Sequence, residues 1–233
     1  MKKHIPNAIT CCNLLCGCTA TYLAFGGRPE LAGAFILLAA VFDFFDGWSA
    51  RKLGVSSPIG KELDSLADVI SFGFAPSAML FHSLREVTLF PRIACFAAFL
   101  IAAFSALRLA KFNLDERQTC GFIGMPTPAN ALLLTGLCCS PLLAYAGCHW
   151  PLPVFLIATF ALIGALCWLL VCEIPMFSFK AGGKTAWVFA AAAIVITLAC
   201  LVLWHDARGL FLSMLLYIVI CLTEAAYAEK RKA

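Results

Sequence analysis

Charged residues are scarce in this sequence: they occupy 13% of its 233 positions, against about 25% in soluble domains. Long linkers, low-complexity segments and internal repeats are absent as well. The 4 histidines form no spaced ligand set, and the 13 cysteines show no zinc-finger spacing. Hydrophobic residues reach 62%, which excludes a water-soluble globule and a disordered chain. We therefore expect an all-α integral membrane protein that forms one domain over residues 1–233.

Glycine and proline breakers divide the chain into apolar stretches of membrane-spanning length. A bilayer core of about 30 Å needs about 20 apolar residues per helix. This requirement predicts eight spans, at residues 7–25, 31–50, 63–81, 93–111, 126–147, 153–172, 185–204 and 209–227. With the N-terminus inside, 13 of the 17 lysines and arginines fall on the inner side, which predicts that both termini are cytoplasmic. Six spans plus a hairpin in the interface would fit almost as well.

Four aspartates lie at the predicted cytoplasmic ends of the second and third spans. Asp43 and Asp46 are three residues apart, and Asp64 and Asp68 are four apart, so each pair projects from one helix face. We expect a loop of about ten residues to make these spans antiparallel neighbours, with the two pairs facing each other.

This cluster is costly in a membrane. An aspartate at a helix centre costs about 2.5–3.5 kcal/mol, and four together also repel one another. Arg51 and Lys52 could neutralise part of the charge, but Mg²⁺ or Mn²⁺ would do so better because both prefer oxygen ligands. The alternative is that the aspartates are solvated helix ends. The small residues Gly47, Ala50 and Gly60 would either admit a ligand close to the backbone or allow tight helix packing.

The spacing of these residues resembles a known signature. Eight positions, Asp43-x2-Asp46-Gly47-x2-Ala50-Arg51-x8-Gly60-x3-Asp64-x3-Asp68, match that of the CDP-alcohol phosphotransferase family. The resemblance implies a single catalytic domain with a six-helix membrane core, here extended by two helices, and usually a homodimer. It implies a site on the second and third helices that is open to the cytoplasm and uses one or two Mg²⁺ or Mn²⁺ ions.

The resemblance also implies roles for individual residues. Asp43, Asp46 and Asp64 would be metal ligands, and Asp68 would be both a metal ligand and the general base on the attacking hydroxyl. The segment from Pro6 to Asn13 resembles the start of several family members, where it helps to hold the CDP group. The implied residues for binding CDP-diacylglycerol are Asn7, Thr10, Asn13, Gly47, Ala50, Arg51 and Gly60.

Two further segments, residues 106–113 and 121–129, resemble the bacterial branch of the family that transfers a phosphatidyl group to L-serine. Arg108 and Lys111 would bind the serine carboxylate or the lipid phosphate, or would be ordinary positive-inside anchors. The implied partners are CDP-diacylglycerol, L-serine and membrane lipids, with no nucleic acid. The implied location is the inner or plasma membrane, with the active site facing the cytoplasm.

Three other functions compete with this one. Within the family, the acceptor could be glycerol 3-phosphate or inositol phosphate, although either would need a larger basic pocket than serine does. An ion-coupled transporter would place its charges near the midplane and would show matching broken helices in two halves. A membrane prenyltransferase also uses aspartate pairs to hold metal and diphosphate, but with a different spacing.

Overall fold

The computed structural model describes residues 4–55, 57–87, 91–114, 122–176 and 207–230. The chain begins with α1 (Ile5–Phe25), α2 (Pro29–Leu53) and α3 (Pro58–Asp68), which a π-helical segment (Val69–Phe74) joins to α4 (Ala75–Glu86). A 3₁₀ segment (Ala94–Phe99) leads into α5 (Leu100–Leu114), followed by α6 (Thr127–Cys138), α7 (Leu142–His149), α8 (Leu152–Val171) and α9 (Arg208–Lys230). The short strands β1 (Phe122–Ile123) and β2 (Pro175–Met176) pair antiparallel.

Five helices in the described ranges are long and apolar enough to cross a membrane. They are Ile5–Phe25, Pro29–Leu53, Pro58–Glu86, Ala94–Leu114 and Leu152–Val171. The pair α6 and α7 counts as a sixth span if it is taken together, with a bend of 56° at a break that contains Pro141. The predicted all-helical, multi-pass architecture is therefore confirmed. The predicted span at residues 185–204 lies outside the described residues.

The connection between α2 and α3 is shorter than predicted. The sequence suggested about ten residues, but α2 extends to Leu53 and α3 already begins at Pro58. Gly54 ends α2 in the left-handed conformation, with φ +63°. Ser57 then caps α3 by accepting a hydrogen bond from the Gly60 backbone N–H at 3.0 Å. The hydropathy pattern missed this first turn of α3 because it is polar.

The third span lies at the centre of the molecule. Within an apolar stretch of 18 residues in this span, 61% of the residues are buried inside the protein. The same share is 28–39% in the other four spans. The π-helical segment packs against α1, α5 and α6 directly after Asp68. Such segments are rare and often occur at functional sites. The third span therefore carries two of the four aspartates into the protein interior.

A glycine allows α1 to approach this segment closely. A Cβ atom on Gly17 would lie 2.7 Å from Ser71 Cα, closer than real Cβ atoms come to backbone. This approach lets Ser71 Oγ donate a hydrogen bond to the Asn13 carbonyl oxygen at 3.0 Å. Gly17 therefore fixes the spacing between α1 and the third span beside Asp68.

We expect Gly17→Ala to destabilise the protein by about 1–3 kcal/mol, because overpacking displaces the backbone at Ser71. Gly164→Ala is the matched control, since nothing lies within 4 Å of a Cβ at that position. Thermal unfolding of both variants in detergent measures the difference. Equal unfolding temperatures for the two would contradict this account of Gly17.

Backbone hydrogen bonds at a second glycine, Gly124, connect the segment before α6 with the end of α8 and the residues after it. Gly124 has φ +76°, a conformation that favours glycine, and its N–H donates to the Ile174 oxygen at 2.9 Å. The next N–H, of Met125, donates to the Leu169 oxygen at 2.8 Å. These bonds and the β1–β2 pairing fix the chain just before Thr127, the first residue of α6.

Candidate metal and substrate site

Three of the four predicted aspartates form a compact cluster. Asp43 of α2 and Asp64 and Asp68 of α3 each offer a carboxylate oxygen, and these oxygens lie within 4.8 Å of one another. Asp43 and Asp64 are half-buried, and Asp68 is buried. Unit charges about 4 Å apart repel by about 4 kcal/mol in a partly screened protein environment. The cluster therefore needs a positive partner to remain ionised.

The chemistry of these donors fits a hard divalent cation. Carboxylate oxygens suit Mg²⁺ and Mn²⁺, whereas the softer ions prefer sulfur or nitrogen ligands. The cluster lies where two helices face each other, so a single ion could contact side chains from both. The structure thus supports a metal site at Asp43, Asp64 and Asp68, while the identity and number of the ions stay predictions.

The fourth aspartate has a different environment from the one expected. Asp46 is buried, and its Oδ2 accepts a hydrogen bond from Thr10 Oγ1 at 2.8 Å. It lies beside the three-residue cluster without belonging to it. The sequence predicted two pairs facing each other; Asp43 meets Asp64 and Asp68 in the cluster, and Asp46 hydrogen-bonds to α1 and lines the same cavity as Asp64. Its role as a metal ligand stays a prediction.

Asp68 is held by α1 as well. Asn13 Nδ2 donates to Asp68 Oδ1 at 3.3 Å, and both side chains are buried. Asn13 is itself held at its backbone, because its carbonyl oxygen accepts the hydrogen bond from Ser71 Oγ. The sequence predicted that Thr10 and Asn13 bind CDP-diacylglycerol, whereas in the structure both contact the aspartates.

A cavity of about 990 Å³ adjoins the cluster. Its size is at the upper end of the range for ligand pockets, about 300–1,000 Å³. Six residues of the predicted nucleotide-binding set line it: Asn7, Thr10, Gly47, Ala50, Arg51 and Gly60. Asp46 and Asp64 line it too, so the cavity and the carboxylates form one continuous site. Pro6, from the segment expected to hold the CDP group, lines the cavity as well. The other lining residues were not predicted from the sequence: His4, Gly54, Val55, Ser57, Ile59 and Lys61.

Two of the small residues are needed for space in this cavity. A Cβ atom on Gly60 would lie 3.0 Å from Asn7 Oδ1 and 3.0 Å from Ser57 Oγ. A Cβ on Gly47 would lie 3.3 Å from the Arg51 guanidinium. Both contacts are tighter than ordinary van der Waals contact, so these glycines keep the cavity wall open around Asn7 and Arg51.

The two basic residues predicted on α5 lie in different environments. Arg108 is buried and its Nη1 donates to Thr127 Oγ1 at 3.4 Å. Its helix, α5, packs against the π-helical segment that directly follows Asp68, so Arg108 lies on a helix that adjoins the aspartate cluster. Lys111, in contrast, is exposed and does not line the cavity. The structure therefore brings only Arg108 of the pair toward the site.

The end of α5 is tied to α3 by residues that the sequence analysis did not single out. Lys61 Nζ donates to the Asn113 carbonyl oxygen at 3.0 Å, and Asn113 Nδ2 donates to Ser65 Oγ at 2.9 Å. No motif identifies these partners, because they are about fifty residues apart in the chain. Together they hold α5, and with it Arg108, beside the helix that carries Asp64 and Asp68.

These features define a class of protein: a multi-pass helical membrane protein with a carboxylate cluster at the edge of a large cavity. The sequence profile of CDP-alcohol phosphatidyltransferases matches residues 3–146. The chain belongs to this family.

Curated relatives in this family carry a more specific name. CDP-diacylglycerol–serine O-phosphatidyltransferase of Bacillus subtilis (strain 168) is 41% identical over 132 residues, covering 57% of this chain and 73% of the relative. Proteins of the same name from Methanocaldococcus jannaschii and Helicobacter pylori (strain 26695) are 38% and 34% identical over 134 and 131 residues. Those matches cover 58% and 55% of this chain, and 60% and 54% of the relatives. The chain thus spans less than two thirds of the length of the last two.

Proposed function

We propose that this protein is a phosphatidylserine synthase. It would transfer the phosphatidyl group of CDP-diacylglycerol to the hydroxyl of L-serine, giving phosphatidylserine and CMP. The observation that carries the proposal is the cluster of Asp43, Asp64 and Asp68 at the edge of a cavity lined by the family signature. The names of the relatives support serine as the acceptor.

Asp43, Asp46, Asp64 and Asp68 would hold one or two Mg²⁺ or Mn²⁺ ions. When bound, such ions would neutralise the charge of the diphosphate and of the departing CMP. Thr10 orients Asp46 through its 2.8 Å hydrogen bond, and Asn13 orients Asp68. Outer partners of this kind fix the direction in which a ligand oxygen points.

Asp68 is also the proposed catalytic base. Its carboxylate would accept the proton of the acceptor hydroxyl, while the hydroxyl oxygen forms a bond to the β-phosphorus and the bond to CMP breaks. Asp68 is the most buried member of the cluster, and α5 and α6 both pack against the π-helical segment that follows it. Asp68 could therefore meet an acceptor that enters from the side of these two helices.

The cavity would hold the CDP group. Asn7 and Arg51 offer polar contacts from two sides, and Gly47, Ala50 and Gly60 would leave room for the nucleotide between them. Asn13 is placed as a partner of Asp68, so we assign its contribution to the base and not to the nucleotide.

The sequence also supports a proposal for the arrangement in the membrane. We propose eight spans with cytoplasmic termini, an active site that faces the cytoplasm of the inner or plasma membrane, and a homodimer. The placement of lysine and arginine supports the orientation. We also propose that residues 1–233 act as one catalytic unit. The close packing of α9 on α6, where a Cβ on Gly136 would lie 2.9 Å from Phe211 Cα, supports this.

The acceptor is tested by measuring CMP release from CDP-diacylglycerol by the purified protein with Mn²⁺ or Mg²⁺. L-serine, glycerol 3-phosphate and inositol phosphate are offered separately. We expect metal-dependent CMP release with L-serine and at most background release with the other two. Release with glycerol 3-phosphate alone would make the protein a phosphatidylglycerophosphate synthase. Folded protein that is inactive with every acceptor would favour an ion-coupled transporter.

A further inference from the structure

Asn130 of α6 is a buried polar residue that the mechanism above does not use. Its side chain is 0% exposed, and neither its Oδ1 nor its Nδ2 has a hydrogen-bond partner among the described residues. A buried polar atom without a partner loses its hydrogen bonds to water and gains none in exchange, and Asn130 carries two such atoms. A polar side chain kept at such a cost needs an explanation in terms of function.

The surroundings of Asn130 point to the active site. Asn130 lies one helical turn after Thr127, whose hydroxyl accepts a hydrogen bond from Arg108. On α5, Ser105 lies one turn before Arg108, and its buried Oγ also lacks a partner among the described residues. Since consecutive spans cross a membrane in opposite directions, Ser105 and Asn130 both lie one turn deeper than the Arg108–Thr127 contact. Among the described residues, two unsatisfied polar groups therefore lie one helical turn from the Arg108–Thr127 contact.

Ser105 and Asn130 lie on two helices, α5 and α6, that adjoin the same π-helical segment. Both α5 and α6 pack against the π-helical segment that follows Asp68, and their direct contact with each other is slight. A Cβ atom on Gly73 would lie 3.0 Å from Ser105 Cβ, so Ser105 rests directly on that segment. A small polar molecule bound over the segment would contact Arg108, Ser105 and Asn130 with its reactive group toward Asp68.

We infer that Asn130, with Ser105 and Arg108, binds the amino-acid part of the acceptor and selects a zwitterion. The inference rests on the proposed function and extends it to residues that determine specificity. A primary amide offers both a donor and an acceptor, so Asn130 can donate to the carboxylate of serine and accept from its ammonium group. Arg108 supplies the one positive charge that the carboxylate requires.

The same three side chains, those of Arg108, Asn130 and Ser105, disfavour a phosphorylated acceptor. A phosphate group carries nearly two negative charges and accepts hydrogen bonds only, so it requires several cations. Here one arginine is combined with a neutral amide and a hydroxyl. The balance of charge therefore matches serine better than glycerol 3-phosphate.

The test is Asn130→Leu, which keeps the approximate shape of the side chain and removes both unsatisfied atoms. We expect the KM for L-serine to rise about tenfold or more, because a hydrogen bond to a charged group is lost. The KM for CDP-diacylglycerol and the Mn²⁺ concentration for half-maximal activity should stay within about twofold of wild type. Thermal stability should not fall, since the variant buries less polar surface. Ser105→Ala should raise the same serine KM several-fold.

Thr135→Val is the matched control. Thr135 lies on the same helix and has a buried, unsatisfied hydroxyl, but its side chain faces Gly33 of α2, away from the Arg108–Thr127 contact. We expect no change in the serine KM for this variant. An unchanged serine KM in Asn130→Leu, or an equal rise in the KM of both substrates, would overturn the inference.

The outcome separates the inference from the proposed function. Wild-type protein that releases CMP with L-serine supports the function, whatever Asn130→Leu does. Wild-type protein that uses only a phosphorylated acceptor ends both the proposed function and the assignment of Asn130 to a zwitterion. A second readout compares 3-hydroxypropanoate, which lacks the ammonium group, with L-serine. Wild type should discriminate between them, and Asn130→Leu should discriminate less; equal discrimination by both proteins would count against the inference.

Discussion

Asp68→Asn is expected to lower kcat for CMP release by about 10²–10⁴-fold, the usual contribution of a general base. The amide has nearly the same shape as the carboxylate but cannot accept the proton of the acceptor hydroxyl. The hydrogen-bonding partner Asn13 can rotate its own amide to match, so we expect the fold to be retained. The measurement is the initial rate of CMP release with CDP-diacylglycerol and L-serine at saturating Mn²⁺.

A metal titration of the same variant separates the two roles assigned to Asp68. If Asp68 acts only as the base, kcat falls while the half-saturating Mn²⁺ concentration stays near that of wild type. If it is also a ligand, that concentration rises together with the loss of kcat. Glu62→Gln is the control, because Glu62 is an exposed acid on the same helix. Activity within a few-fold of wild type for Asp68→Asn would refute its role as the base.

Asp64→Asn should be the second large loss. Asp64 belongs to the cluster and also lines the cavity, so its carboxylate is placed to hold a cation against the substrate diphosphate. Loss of a partner that only supports a metal ligand costs about 10–100-fold in affinity or activity, and loss of a ligand should cost at least about 100-fold. We expect the half-saturating Mn²⁺ concentration to rise by that factor, measured by titrating Mn²⁺ into protein stripped with a chelator.

The same stripped protein provides the wild-type reference. Wild-type activity should vanish on chelation and return with Mn²⁺ or Mg²⁺. Glu62→Gln should lose and regain its activity in the same way. Asp43→Asn should resemble Asp64→Asn because both carboxylates belong to the cluster. Wild-type turnover that persists after complete chelation would contradict the metal site altogether.

The sequence was sufficient to locate the candidate site because the signature is local. Helical periodicity alone places Asp64 and Asp68 on one face, and the chain turns back after only a few residues to bring Asp43 near them. The cost of charge in a membrane then made a ligand-binding role the best explanation. The rest of the fold is not needed to locate the site, and the cluster of Asp43, Asp64 and Asp68 lies where the signature predicts it.

What the sequence did not predict depends on contacts between distant segments. The partner of Asp46 is Thr10, 36 positions away, and the partner of Asp68 is Asn13, 55 positions away. Hydropathy gives the presence of α1 but not the face that it turns toward α2 and α3. Among the described residues the Asn130 amide has no hydrogen-bond partner, and this too is visible only after its neighbours are placed.

The central position of the third span has a consequence for how the protein is made. The segment Pro58–Glu86 is the least apolar of the five spans and carries Asp64 and Asp68, yet it becomes the most enclosed. Because synthesis proceeds from the N-terminus, α1 and α2 enter the bilayer before it does. Asn13, which binds Asp68, is therefore synthesised before the two carboxylates of the third span. The order of the helices along the chain thus supplies the third span with polar partners at the moment of its insertion.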